Sequence, residues 1–146
     1  MEIKGANEFI ARLKNIKKDS YKKVGAIVEA TARQIELDAV QAAPKIYKYG
    51  TGGSHATNNE IVGNISSIKT GQLEAEVIVN SKMAAYAEFG TGAYVDVPKG
   101  WEDIAWSYYV NGRGVMLPQP YLYPAWRKGI KQFKKDLEKY VNEESR

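Results

Sequence analysis

Apolar residues recur every three or four positions through the first part of the chain, which is the spacing of one face of an α-helix. Residues 6–17 fit this pattern and predict a short amphipathic helix. A longer helix is predicted from an N-cap at Asp19-Ser20 to about Ala43, with an apolar face formed by Tyr21, Val24, Val28, Ala32, Ile35 and Ala39. Pro44 disfavours helical geometry at the residue before it, so this helix should stop there.

Alternating apolar and polar residues predict two antiparallel hairpins. The first has strands within residues 61–69 and 73–79, joined by a turn at Thr70-Gly71. The second runs from Trp106 to Leu117 and turns at Asn111-Gly112, a pair that strongly favours a two-residue hairpin loop.

Residues 45–59 contain three glycines and show no periodicity, so they are predicted to form a structureless loop. Loops of this length within a compact domain are usually functional or mobile. We expect this loop to be mobile in a free monomer and to become ordered when the protein docks.

Two further helices complete the predicted order of elements. Residues 81–89 predict a short helix that ends at Gly90, and an amphipathic helix is predicted from Pro124 onward. The fold class is therefore α+β, with an antiparallel sheet of two hairpins packed against a long N-terminal helix and a C-terminal helix. One domain spanning residues 1–146 is expected, because 146 residues is an ordinary domain length.

Composition narrows the functional classes. The absence of cysteine excludes a disulfide framework, a thiolate metal site and a cysteine nucleophile. The sequence contains no apolar stretch of the length of a membrane span, and the N-terminus lacks a signal-like stretch, so we expect a protein made in the cytoplasm and not bound to membrane.

Charge is distributed unevenly along the chain. The net charge is +4, with basic ends and an acidic middle segment from residue 49 to residue 118. This balance leaves open a small basic module that binds nucleic acid, although basic residues that alternate with acidic ones are more typical of solvated helix faces.

The sequence does not assemble the residues that catalysis requires. His55 is the only histidine and has no cysteine near it, so a metal site around it lacks further ligands of these types. The glycines around Thr51 are not followed by the lysine of a phosphate-binding loop. Glu88 is the carboxylate that an enzyme would have to use, whereas Glu74 and Glu76 should point outward from their strand. We therefore predict no catalytic residue, no cofactor and no metal.

Three landmarks, taken in series, resemble a known family. The first is Ala42-Ala43-Pro44 at the end of the long helix, followed by Thr51-Gly52. The second is the run from Ala84 to Thr91, and the third is the run from Pro118 to Ala125. In this order they are similar to the head–tail joining or tail-completion proteins of long-tailed bacteriophages and prophages.

The resemblance implies a set of motif residues whose role is architectural. They are Pro44, Tyr86, Glu88, Phe89, Gly90, Thr91, Pro118, Pro120, Tyr121, Leu122 and Pro124. Gly90 would end its helix in a conformation that other residues resist, and Thr91 would bond the freed backbone groups of that turn. The prolines would stiffen the segment that delivers Tyr121 and Leu122 to the core.

The resemblance also implies a non-enzymatic structural protein of the virion. Such a subunit would form a homo-oligomeric, six-fold ring around the DNA channel at the head–tail junction, after synthesis in the host cytoplasm. Its partners would be neck and tail proteins, namely the head-closure protein, the tail terminator and the tail tube, and DNA would pass through without sequence-specific binding. The expected contacts between subunits involve aromatic residues Trp101, Trp106 and Tyr108 and basic residues Lys131, Lys134 and Lys135.

Overall fold

The computed structural model describes residues 19–44, 46–48, 54–56, 61–106 and 114–144. Its helices are α1 (Asp19–Ala42), α2 (Ala84–Phe89), α3 (Glu102–Trp106) and α4 (Leu122–Glu144). Its strands are β1 (Ile46–Lys48), β2 (Ser54–Ala56), β3 (Ile65–Lys69) and β4 (Ala75–Val79). Short 3-10 turns lie at Val62–Asn64 and Gly92–Tyr94.

The α+β class is confirmed, and the strands form two separate antiparallel pairs. β3 pairs with β4 in the register Ile65–Val79 to Lys69–Ala75, which confirms the first predicted hairpin. β1 pairs with β2 between Ile46–Ala56 and Lys48–Ser54. The prediction that residues 45–59 lack structure is therefore wrong for the two short strands that lie within this segment.

The structure does not confirm the second predicted hairpin at its first residue. Trp106 is the last residue of α3 and is not in a strand. A favourable helix start explains this difference, because Glu102 and Asp103 lie in the first turn of α3, where acidic side chains interact favourably with the helix dipole. The second arm was also predicted wrongly, because residues 114–117 form no strand and only Met116 makes an isolated bridge. Residues 107–113, with Tyr108 and the Asn111-Gly112 turn, lie outside the described residues, as does the predicted helix over residues 6–17.

α1 and α4 pack against each other in antiparallel directions. Asp38 lies beside Lys128, with an oxygen–nitrogen distance of 2.8 Å, whereas Lys23, near the start of α1, pairs with Glu144 at the end of α4. The main core lies between these helices, the β3–β4 hairpin and the segment before α4. Its buried members are Ile35, Ala39, Ala43, Ile61, Ile65, Ala87, Met116, Tyr121 and Ala125.

A glycine permits the close approach of the two long helices. A Cβ atom added at Gly129 of α4 would lie only 2.2 Å from Cγ1 of Ile35, a side chain that is itself 1% exposed. Ile35 is therefore seated directly on the backbone of α4, which fixes the separation and axial alignment of the helices.

The Gly129→Ala substitution should lower the free energy of unfolding. The added methyl group has no room and must displace the core, which costs about 1–3 kcal/mol and outweighs alanine's helix-propensity advantage of about 1 kcal/mol. Urea denaturation followed by circular dichroism measures the change. Gly63→Ala is the matched control, because no atom lies within 4 Å of its added Cβ; an equal loss in both variants would contradict the close contact at Gly129.

Candidate functional site

The second and third landmarks lie side by side in the structure. Gln119 donates its N–H to the carbonyl of Ala87 at 2.7 Å, and Thr91 donates to the carbonyl of Met116 at 3.0 Å. The Thr91 hydroxyl in turn accepts the Met116 N–H at 3.0 Å. Thr91 thus bonds a backbone group 25 positions further along the chain, whereas the sequence suggested a bond within its own turn.

Gly90 ends α2 with a positive φ of 75°, as the sequence predicts. Its N–H donates to the carbonyl of Tyr86 at 2.9 Å. A Cβ atom at this position would lie 2.8–2.9 Å from Tyr94 O, Met116 O and Pro118 Cδ. Both the conformation and the surrounding backbone therefore require glycine where the two landmark segments meet.

Glu88 is a buried carboxylate that caps α4 from another part of the chain. Only 5% of the surface of Glu88 is exposed. One carboxylate oxygen accepts the N–H groups of Tyr121 at 2.8 Å and Leu122 at 2.9 Å, and the other accepts the Tyr123 N–H at 2.9 Å. The negative charge also lies at the positive end of the helix dipole.

This arrangement accounts for every N–H group that the first turn of α4 leaves without a helical partner. A helix begins with four such groups. Glu88 takes those of Tyr121, Leu122 and Tyr123, and the fourth position is Pro124, which has no N–H. One carboxylate and one proline therefore complete the helix end.

The capping role of Glu88 was not predicted from the sequence. A signal was nevertheless present, because Gln119, Pro120 and Tyr121 precede α4 and none is a favoured N-cap residue. A helix that starts without a local cap needs an acceptor from elsewhere in the chain, and Glu88 in the second landmark supplies it. Since both its oxygens accept backbone N–H groups in a buried position, Glu88 acts here as a structural cap.

The predicted aromatic residues divide between the interior and the surface. Trp101 is half-buried and contacts Phe89 and Tyr123, with ring centroids 5.9 Å and 5.5 Å apart. Trp106 is 71% exposed. Tyr121 is 1% exposed and lies in the main core, while Leu122 packs against it, as predicted for the segment stiffened by proline.

The remaining motif residues support this junction. Pro44 is buried at the end of α1, Tyr86 packs against the main core, and Pro120 and Pro124 are exposed.

Within the described part of the chain, His, Asp and Glu side chains form no group suited to holding a metal ion. His55 lies in β2. None of the described helices is both long and apolar enough to cross a membrane.

Charged residues are exposed on two separate elements. Lys131, Lys134 and Lys135 are exposed on α4, and none forms an ion pair within the described residues. Glu74 and Glu76 are exposed on the β3–β4 hairpin. The molecule therefore presents a basic helix face and an acidic hairpin.

The Glu88→Gln substitution should destabilise the protein by about 1–3 kcal/mol, because the amide nitrogen cannot accept a hydrogen bond and leaves a buried N–H without a partner. Chemical denaturation measures this loss. Hydrogen exchange should also show faster exchange of the Tyr121, Leu122 and Tyr123 amides.

Glu102→Gln is the matched control. Glu102 is exposed and accepts the single N–H of Gly100 at 2.7 Å, so its replacement should change the free energy of unfolding by less than about 0.5 kcal/mol. Similar losses in the two variants would argue against the capping role of Glu88.

The chain is similar to a known protein family. The family model described as "Bacteriophage HK97-gp10, putative tail-component" matches residues 7–90, more than half of the chain. The matched range includes the first landmark and the second as far as Gly90, and Glu88 within it caps the helix that opens in the third. Neither the curated proteins nor the solved structures give a significant match. The chain belongs to the HK97-gp10-like family of bacteriophage tail components.

Proposed function

We propose that this tail component acts at the head–tail junction, where copies of the chain assemble as a six-fold ring around the DNA channel. The observation that carries the proposal is family membership over residues 7–90. The protein would complete the neck or tail by contacting the head-closure protein, the tail terminator or the tail tube. It would be made in the host cytoplasm and then become part of the virion.

The exposed charges support a head-to-tail arrangement of copies. A ring requires two different surfaces on each subunit that meet after a closing rotation. The lysines of α4 and the glutamates of the β3–β4 hairpin are opposite in charge and lie on different elements. We propose that they meet across the subunit boundary, with Trp106 contributing apolar contact.

Without this protein, assembly of the virion should stop at a defined stage. If the gene is deleted from the phage or prophage that encodes the chain, negative-stain microscopy should show DNA-filled heads and finished tails that are not joined. Supplying the protein in trans should restore joined particles. Normal joined virions in the deletion strain would contradict the junction role, whereas missing or abnormally long tails would indicate a different tail role.

Charge reversal tests the proposed contact between subunits. The triple variant Lys131→Glu, Lys134→Glu and Lys135→Glu should weaken self-association, because like charges would then face each other. Sedimentation velocity at low and high salt measures this effect. The association of the unmodified protein should also weaken as salt rises, since ions screen exposed charges.

The control variant carries the same change in net charge at other exposed positions, namely Lys22→Glu, Arg33→Glu and Lys99→Glu. It should associate like the unmodified protein. Adding Glu74→Lys and Glu76→Lys to the α4 variant should restore association. Unchanged assembly and salt response in the α4 variant would show that these lysines do not form the contact.

The same three lysines favour a second candidate, non-specific binding of DNA or RNA. Lysines of a basic surface bind phosphates by releasing counterions, so such binding falls steeply with salt. A filter assay with duplex DNA at two salt concentrations separates the candidates. Strong binding at physiological salt that the α4 charge reversal abolishes would favour the nucleic-acid role.

A further inference from the structure

The register of the β3–β4 hairpin determines which backbone N–H and C=O groups face the partner strand and which face outward. Asn80 donates its N–H to Asn64 at 2.9 Å and Thr70 donates to Glu74 at 3.1 Å, so these are hydrogen-bonded pairs of the ladder. In an antiparallel ladder such pairs alternate with pairs whose N–H and C=O groups face outward. Outward-facing pairs are therefore Ile65–Val79, Ser67–Val77 and Lys69–Ala75.

The outer edge of β3 is partly covered by α1. Glu36 of α1 accepts the outward N–H of Ser67 at 2.9 Å and also accepts its hydroxyl. This carboxylate occupies the position that an approaching strand would need, so the β3 edge is protected against pairing.

No described residue gives the outer edge of β4 such a cover. Within the described part of the chain, the outward N–H and C=O groups of Ala75, Val77 and Val79 have no hydrogen-bond partner. Two isoleucines also lie on the exposed face of this hairpin, with Ile68 47% and Ile78 38% exposed. An open edge beside exposed apolar side chains is a template for strand addition.

The β1–β2 pair offers a strand that fits this edge. In the described structure it is a two-stranded sheet of three-residue strands, and a sheet that small is marginal in isolation. β1 has the sequence Ile-Tyr-Lys, which contains two strong strand formers and one basic residue. β4 contains the acidic residue Glu76 and no basic residue. Joining β1 to β4 would give one four-stranded sheet and place opposite charges on adjacent strands.

We propose that β1 of a second copy of this chain adds to the open edge of β4, so that neighbouring subunits share a sheet. This contact would deepen the proposed ring function, on which it rests, by adding strand pairing to the charge contact proposed between the same two subunits. Because β1 and β4 are different strands, the contact is head-to-tail, as a ring needs.

A pair of proline variants tests the open edge. Ala75→Pro removes an outward N–H from β4 and keeps every β3–β4 hydrogen bond, whereas Lys69→Pro removes the outward N–H from the opposite residue on the β3 edge. Both variants should remain folded by circular dichroism. Ala75→Pro should weaken self-association by about tenfold or more in sedimentation velocity, the scale of one or two lost hydrogen bonds, and Lys69→Pro should leave it unchanged.

The absence of native cysteine allows a direct test of which strand adds. Protein carrying Glu76→Cys is mixed with protein carrying Tyr47→Cys and oxidised. Antiparallel pairing of these two positions places Lys48 opposite Ala75, and position 76 is one where the closer cross-strand pairs would form. A disulfide-linked dimer on a non-reducing gel is expected from the mixture and not from either protein oxidised alone. Because each protein has one cysteine, that product can only be intermolecular. Leu37→Cys, at an exposed α1 position, replaces Tyr47→Cys in the control mixture.

Three outcomes would overturn the proposal. They are no dimer from the mixture at the highest soluble concentration, equal cross-linking to Leu37→Cys, and cross-linking of Glu76→Cys only to itself, which would indicate symmetric pairing of two β4 strands. Failure here leaves the head–tail proposal standing if the deletion strain still yields unjoined heads and tails. Conversely, the expected cross-link could form while the deletion strain still makes normal joined virions. That result would support the shared sheet and contradict the role at the head–tail junction.

Discussion

The bonds that Glu88 makes to the start of α4 determine how the rest of the structure is arranged. A carboxylate that is buried without partners is very unfavourable, but here three N–H groups and the helix dipole offset that cost. The interaction fixes where α4 begins relative to α2. Since Tyr121 and Ala125 fill the core from this point, and the lysines follow along the same helix, the position of Glu88 sets both the packing and the exposed charge.

Small residues then allow the elements to come close enough for this arrangement to pack. Gly129 admits Ile35, and Gly25 of α1 admits the hairpin turn, where a Cβ atom would lie 2.5 Å from the carbonyl oxygen of Gln72. α1 is thus in near contact with α4 on one side and with the β3–β4 turn on the other. The two charged surfaces are held at fixed positions by backbone contacts that leave little room for adjustment.

The elements that depend on local sequence were predicted well. Apolar spacing predicted α1 and α4, and alternation predicted β3 and β4, because those patterns arise from burying one face of an element. The prediction of a strand at Trp106 was wrong because alternation over few residues competes with helix-start signals, here Glu102 and Asp103. The Glu88 cap and the Gly129 contact were not predicted, since each joins residues far apart in sequence.

The proposed contacts between copies rest on features that one copy leaves incomplete. An unpaired strand edge is normally blocked because it promotes unwanted pairing, and in this chain Glu36 blocks the edge of β3 but nothing in the described structure blocks that of β4. Likewise, four lysines form ion pairs with acidic side chains, namely Lys23, Lys69, Lys128 and Lys139, whereas Lys131, Lys134 and Lys135 form none within the described residues. The open β4 edge and these three lysines are therefore the sites at which we propose contacts with other copies of the chain.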